Sequence, residues 1–119
     1  MADQADLFQD FLDSSDAVIY IKDKDGRFIM LNRRGAELLH MSVEEVIGKT
    51  AYDLFPRKEA DRVMDMDRKV AETGAPHNFK DTLTLPSGQI TLLDHKFPVT
   101  SESHPNAVGG IAIDITNIE

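Results

Sequence analysis

The chain has 119 residues, 13 basic against 21 acidic, a formal charge of −8, and neither cysteine nor tryptophan. That length suits one domain with its own core, and 41% hydrophobic with 29% charged residues excludes a disordered chain. Without cysteine there is no disulfide, thiolate metal site, cysteine nucleophile or thiol-linked chromophore. The acidic balance argues against a nucleic-acid face, since phosphate binding needs clustered Lys and Arg and the longest basic runs are Arg33-Arg34 and Arg68-Lys69. No apolar stretch reaches the roughly 20 residues that span a bilayer. The start, Met1 to Asp6, lacks the basic and apolar regions of a secretory signal. A cytoplasmic location is expected.

Residues 4–13 carry Leu7, Phe8, Phe11 and Leu12 as one apolar helical stripe, with acids on the other side. Ser14-Ser15-Asp16 breaks it. Ala17 to Lys22 is β-branched and aromatic, apolar at nearly every position, and predicts a strand covered on both faces. Asp23-Lys24-Asp25-Gly26 predicts a turn, with Gly26 free to take positive φ, and Arg27 to Leu31 the second strand of a hairpin. Asn32 is placed to cap a short helix, Arg33 to His40. Ser42-Val43-Glu44-Glu45 has capping-box spacing and leads a helical turn through Val46 and Ile47 to Gly48. Thr50 to Phe55 is another short helical piece, closed by Pro56.

Lys58 to Thr73 is the only long predicted helix, ended by Gly74 and Ala75-Pro76. His77 to Leu85 and Gln89 to Val99 flank Pro86-Ser87-Gly88 as a second hairpin. Ala107 to Thr116 is a last strand, weakened locally by Gly109 and Gly110. Helix, two strands, several helices and three strands make an α+β fold: a five-stranded antiparallel sheet with short helices and one longer helix on one face, plus the N-terminal amphipathic helix.

Ile21 to Phe28, Leu31-Asn32 and Glu44 to Thr50 resemble the first half of a PAS domain. Tyr52 to Pro56, Asp67 to Val70 and Glu72-Thr73-Gly74 extend the likeness, and Lys96-Phe97-Pro98, Gly109-Gly110-Ile111 and Asp114-Ile115-Thr116 resemble its last strands. The resemblance implies a PAS-like sensory module of the kind found in histidine kinases, two-component systems, cyclic-dinucleotide enzymes and transcription regulators. It implies residues 16–116 as the domain, 1–15 as a flanking helix and 117–119 as the start of a linker to an effector. It also implies that Asp114, Ile115 and Thr116 relay the signal.

The cysteinyl-flavin branch of such domains is excluded by composition. The haem branch commonly uses a histidine on the long helix; 58–73 has none, and Met64 and Met66 read as core filler, so haem is not expected. His40, His77 and His104 lack metal-ligand spacing, and His95, inside a strand, is expected to be half-buried and structural. On the long helix Ala60, Val63, Met64, Val70 and Ala71 define an apolar side with Asp67 at its centre. A buried carboxylate needs a partner, and Lys96 is the candidate. Tyr52 is placed either to point its hydroxyl into a cavity or to fill the core.

The candidate ligand-binding set is Tyr52, Met64, Asp67, His95 and Lys96. No catalytic residue and no metal ligand is proposed. Leu7, Phe8, Phe11 and Leu12 must be covered by the chain's own sheet or by a second subunit, which makes a homodimer the expected state. The expected function is a sensory input module that binds a small ligand or partner and relays its state to a covalently linked effector, without contact to nucleic acid or membrane. The alternatives are a ligand-free dimerisation scaffold and, more weakly, a small α+β cone enzyme.

Overall fold

A computed structural model of the protein describes residues 2–118. The elements run α1 (Ala2–Ser14), β1 (Val18–Lys22), β2 (Phe28–Leu31), α2 (Arg33–Leu39), α3 (Val43–Val46), α4 (Ala51–Leu54), α5 (Arg57–Thr73), β3 (His77–Leu85), β4 (Gly88–Val99) and β5 (Ala107–Asp114). The strands form one antiparallel sheet in the order β2-β1-β5-β4-β3. No helix among the described residues is long and apolar enough to cross a membrane.

Local chemistry sets most boundaries. In the first turn the Asp23 side chain accepts from the backbone N–H groups of Asp25 and Arg27, both at 2.9 Å. Gly26 takes φ +82°, a backbone conformation that favours glycine, and a Cβ there would lie 2.7 Å from the methyl of Met64, whose flexible side chain would have to shift. Asn32 caps α2 by accepting from the Gly35 N–H, and Ser42 with Glu45 forms the reciprocal capping box of α3. The last predicted strand stops at Asp114, two residues early, because the Asp114 carboxylate accepts from the Thr116 N–H and hydroxyl and turns the chain.

The core lies between the sheet and α2–α5. One cluster gathers Ala51, Ala60, Val63, Leu83, Leu92 and Ala112; the other gathers Tyr20, Phe28, Leu31, Ala36 and Val46. Full burial of one such branched or aromatic side chain contributes about 1.5–3 kcal/mol.

Two expectations need correction. β1 is not uniformly covered on both faces: Tyr20 and Lys22 are buried while Val18, Ile19 and Ile21 are half-buried, the alternation of a strand with one inward face. Gly109 and Gly110 are close-approach sites rather than weak points. A Cβ on Gly110 would overlap the Tyr20 ring, and one on Gly109 would lie 2.9 Å from both Phe97 and Val99.

Candidate functional site

Strand alternation brings five polar side chains from β1, α5 and β4 to one place beneath the helices. Tyr20 and Lys22 share the inward face of β1, Asp94 and Lys96 share that of β4, and Asp67 descends from α5. The Asp67 carboxylate accepts from Lys22 Nζ at 2.8 Å on one oxygen and from Lys96 Nζ at 2.7 Å on the other. Lys96 also donates to the Tyr20 hydroxyl at 2.7 Å and stands 3.3 Å from Asp94 Oδ2. The Tyr20 hydroxyl in turn donates to Asp94, at 2.9 Å to Oδ2 and 3.1 Å to Oδ1. The side chains of Lys22, Lys96 and Asp67 are only 3%, 2% and 9% exposed.

Burial works to raise the Asp67 carboxyl, but Lys22 and then Lys96 outweigh it and hold its pKa below the ordinary value. Burial also holds the Tyr20 phenol well above its usual range, so the hydroxyl stays protonated and passes its hydrogen bond on to Asp94. The two lysines differ. Burial lowers Lys22, which has Asp67 and the faces of Tyr20 and Phe28 as company. Burial works against Lys96 too, yet Tyr20, Asp67 and Asp94 surround it and raise it well above its ordinary value. With two ammoniums and two carboxylates, the cluster carries no net charge.

A cavity of about 70 Å³ opens against this cluster. Its walls are apolar side chains of β1, β2, α2, β3, β4 and β5, the last through Ala112, together with Phe55, and among its lining residues only Tyr20 and Asp94 are polar. A second cleft, about 270 Å³, lies between the Asp23–Gly26 turn and α5 and reaches Asp67 past Met64. A larger depression, about 810 Å³, is an open groove beside edge strand β2, lined by charges of both signs and removed from the buried cluster. The small apolar cavity has its polar side chains at one wall, the usual chemistry of a ligand site, and it adjoins the buried cluster through Tyr20 and Asp94.

The sequence-predicted residues divide accordingly. Asp67 and Lys96 meet as expected. Met64 sits half-buried at the second cleft, packed against Gly26. Tyr52 lies on the surface, its hydroxyl donating to Asp61 at 2.7 Å and its ring under Arg57, so it points into no interior cavity and fills no core. His95 is exposed, not half-buried: the parity that turns Lys96 inward turns His95 out, where Nδ1 lies 2.6 Å from Asn78 Oδ1. Lys22, Tyr20 and Asp94 were not among the residues expected from the sequence. Period-2 alternation from Lys96 finds Asp94, and treating β1 as one-faced finds Tyr20 and Lys22. Among the described residues no group of three or more His, Asp or Glu side chains is placed to hold a metal ion.

At the two ends, α1 is docked through its C-terminal residues Leu12 and Asp13. Asn32 donates to the carbonyls of Leu12 and Ala17, and Arg33 reaches Asp13 through its N–H and guanidinium. Leu12 is buried in its own subunit, while Leu7, Phe8 and Phe11 remain 69%, 63% and 67% exposed. The Asp114–Thr116 turn is tied to β4, since the Thr91 N–H donates to the Thr116 hydroxyl at 2.9 Å and the Ile115 N–H to the Thr91 carbonyl at 2.8 Å.

Comparison with known proteins bears on this arrangement. A family model described as PAS fold matches residues 12–119. The chain is 30% identical over 113 residues to the uncharacterized protein y4lL of Sinorhizobium fredii, covering 92% of this chain and 14% of that protein. It is 26% identical over 115 residues to the transcriptional activator RocR of Bacillus subtilis, covering 95% of this chain and 24% of that one. The chain thus spans less than a quarter of the length of these curated relatives. Among solved structures, VqmA of Vibrio cholerae, in a complex with ligand and DNA, superposes with a TM-score of 0.83 at 23% identity, over 98% of this chain and 52% of that chain.

Proposed function

Because the chain belongs to the PAS fold family, we propose that it is a sensory input domain that holds a small molecule in the cavity against Tyr20 and Asp94 and signals through its C-terminal turn. The observation that carries this reading is an apolar cavity set directly on a buried, charge-neutral hydrogen-bonded cluster. A ligand there changes the surroundings of Tyr20, whose ring lies over Gly110 of β5. β5 leads into Asp114, Ile115 and Thr116, the residues proposed for relay. Of the expected ligand residues, Asp67 and Lys96 support the cavity from behind, Met64 borders the outer cleft, and Tyr52 and His95 have no part in this reading. The named relatives include a transcriptional activator and a ligand-bound, DNA-bound regulator, which supports a regulatory role.

The domain is proposed to act without catalysis, as modules of this fold generally do, and in the cytoplasm. Asp67, the buried acid on α5, has both oxygens engaged by lysines. DNA contact is assigned to a linked effector, not to this domain, whose charge is −8. The decisive experiment is native mass spectrometry of gently purified protein, paired with the same measurement on Ala112→Leu, which fills the cavity wall. A bound small molecule in the wild type that Ala112→Leu lacks supports the reading; adduct-free wild type, unresponsive to a small-molecule panel, defeats it.

The exposed stripe on α1 supports a second role as a dimerisation element. Leu7, Phe8 and Phe11 face solvent, and the outer sheet face carries exposed Leu93, Ile111 and Ile113. A homodimer covers both faces. Leu7→Glu/Phe11→Glu is expected to shift sedimentation from dimer to monomer; a wild type that stays monomeric at every concentration removes this role.

A further inference from the structure

Resting on the ligand reading above, we infer that the cavity selects small, neutral, mainly apolar molecules bearing one N–H or O–H donor, with Asp94 as the accepting and specificity-determining residue. Asp94 is the only charged side chain among the residues lining the cavity. An ionised carboxylate offers about four lone-pair sites. Here the single Tyr20 proton is shared between both oxygens, at 2.9 and 3.1 Å, and Lys96 stands 3.3 Å from Oδ2. Acceptor capacity is left over on a group whose side chain is only 15% exposed.

The remaining walls, including Val18, Leu31, Leu83 and Leu92, offer no hydrogen bond from their side chains. A ligand without a donor strips water from Asp94 and returns nothing, which is costly for a charged acceptor. A ligand with one donor restores a charge-assisted bond, stronger than a neutral one. The charge of the ligand follows from the cluster. Lys22 and Lys96 already balance Asp67 and Asp94, so a cation would leave one uncompensated positive charge among buried groups.

Size narrows the class further. The cavity's 70 Å³ is about half of the roughly 150 Å³ that takes a benzene ring. Half-buried Leu38, Leu39 and Phe55 line it from short elements and can yield to a five-membered ring.

Three rings of equal size separate these features: pyrrole has a neutral N–H donor, furan has none, and pyrrolidine is a cation at pH 7. Titrating each into ¹⁵N-labelled protein and following backbone amide shifts gives the three affinities. Pyrrole is expected to bind about tenfold more tightly than furan, the worth of one such hydrogen bond, and more tightly than pyrrolidine. Asp94→Asn keeps a carbonyl acceptor but loses the charge, so it is expected to lower the pyrrole-to-furan ratio below that of the wild type. Equal binding of pyrrole and furan by the wild type, or an unchanged ratio in Asp94→Asn, overturns the inference, and tightest binding by pyrrolidine overturns its neutrality.

Should Asp94→Asn fail to fold, Tyr20→Phe serves instead. It releases the lone pairs now occupied by the tyrosine hydroxyl, so the ratio should rise above that of the wild type; a constant or lower ratio counts against Asp94. Binding of the rings without donor preference removes this inference but leaves the ligand cavity standing. Failure of all three to bind removes both.

Discussion

Replacing Asp67 by Asn keeps the size of the side chain and removes the one anion that Lys22 and Lys96 share. Two charge-assisted bonds of 2.8 and 2.7 Å are lost or weakened, each contributing about 1.5–3 kcal/mol. Removing one partner of a buried pair generally costs about 3–5 kcal/mol. Proton loss caps the damage at Lys22: neutralising a lysine of ordinary pKa at pH 7 costs about 4.6 kcal/mol, at about 1.36 kcal/mol per pH unit. Lys96 retains Asp94 at 3.3 Å. The expected loss is therefore about 3–5 kcal/mol. With an unfolding entropy of about 2.1 cal/mol/K per residue, this domain should lose roughly 12–20 °C in Tm.

Circular dichroism melts and urea titrations at fixed protein concentration measure the loss, and their pH dependence identifies its origin. In the wild type the folded-state pKa of Asp67 lies below the unfolded value of 3.8. Its contribution is complete above that value and disappears as pH falls through the folded pKa, because the unfolded chain then binds the extra proton. Asp67→Asn removes that acid-side slope.

The variant should show a steeper slope on the basic side than the wild type. Lys22, already lowered by burial, loses its counter-charge, so the unfolded chain binds more protons below about pH 10.4 and stability rises with pH up to that point. The double variant Lys22→Met/Asp67→Leu leaves Lys96 with Asp94 and should recover most of the stability. A melt of Asp67→Asn within about 1 kcal/mol of wild type, or a double variant no better than the single one, would refute the reasoning.

Asn32→Ala removes acceptors for the N–H groups of Ile19 and Gly35 and the donor to the carbonyls of Leu12 and Ala17; about 2–4 kcal/mol should be lost in urea denaturation, with faster amide exchange at Ile19 and Gly35. Gly110→Ala drives a methyl into the Tyr20 ring and should cost about 3 kcal/mol or more, disturbing the tyrosine's near-ultraviolet signal. Gly48→Ala, at φ +91° with nothing within 4 Å, should cost only about 1–2 kcal/mol of backbone strain in the same melts and leave that signal intact.

The fold was legible where one residue type decides a local outcome. Asn32, Ser42 with Glu45, and the Asp23–Gly26 turn each satisfy or free backbone groups within a few residues, so their spacing alone places them. The site was legible only in half. Asp67 declares itself because a carboxylate in the middle of an apolar helical stripe has to find a cation. Nothing local says which cation, and Lys96 was found while Lys22 was not, since Lys22 looks like the polar end of a hairpin strand.

The cause lies in how β1 presents itself. Ile19 and Ile21 are apolar yet face outward, so the alternation of the strand is hidden under a continuous apolar run and the inward pair Tyr20 and Lys22 does not stand out. The same outer face carries exposed Leu93, Ile111 and Ile113 on β4 and β5. An apolar outer face therefore has two consequences for one sequence: it obscures the parity that would have exposed the buried cluster, and it leaves surface to be covered by another element. Under the dimer role proposed above, the exposed stripe of α1, a helix anchored at its C-terminus beside Asn32, is an apolar segment that would cover this face from a second copy.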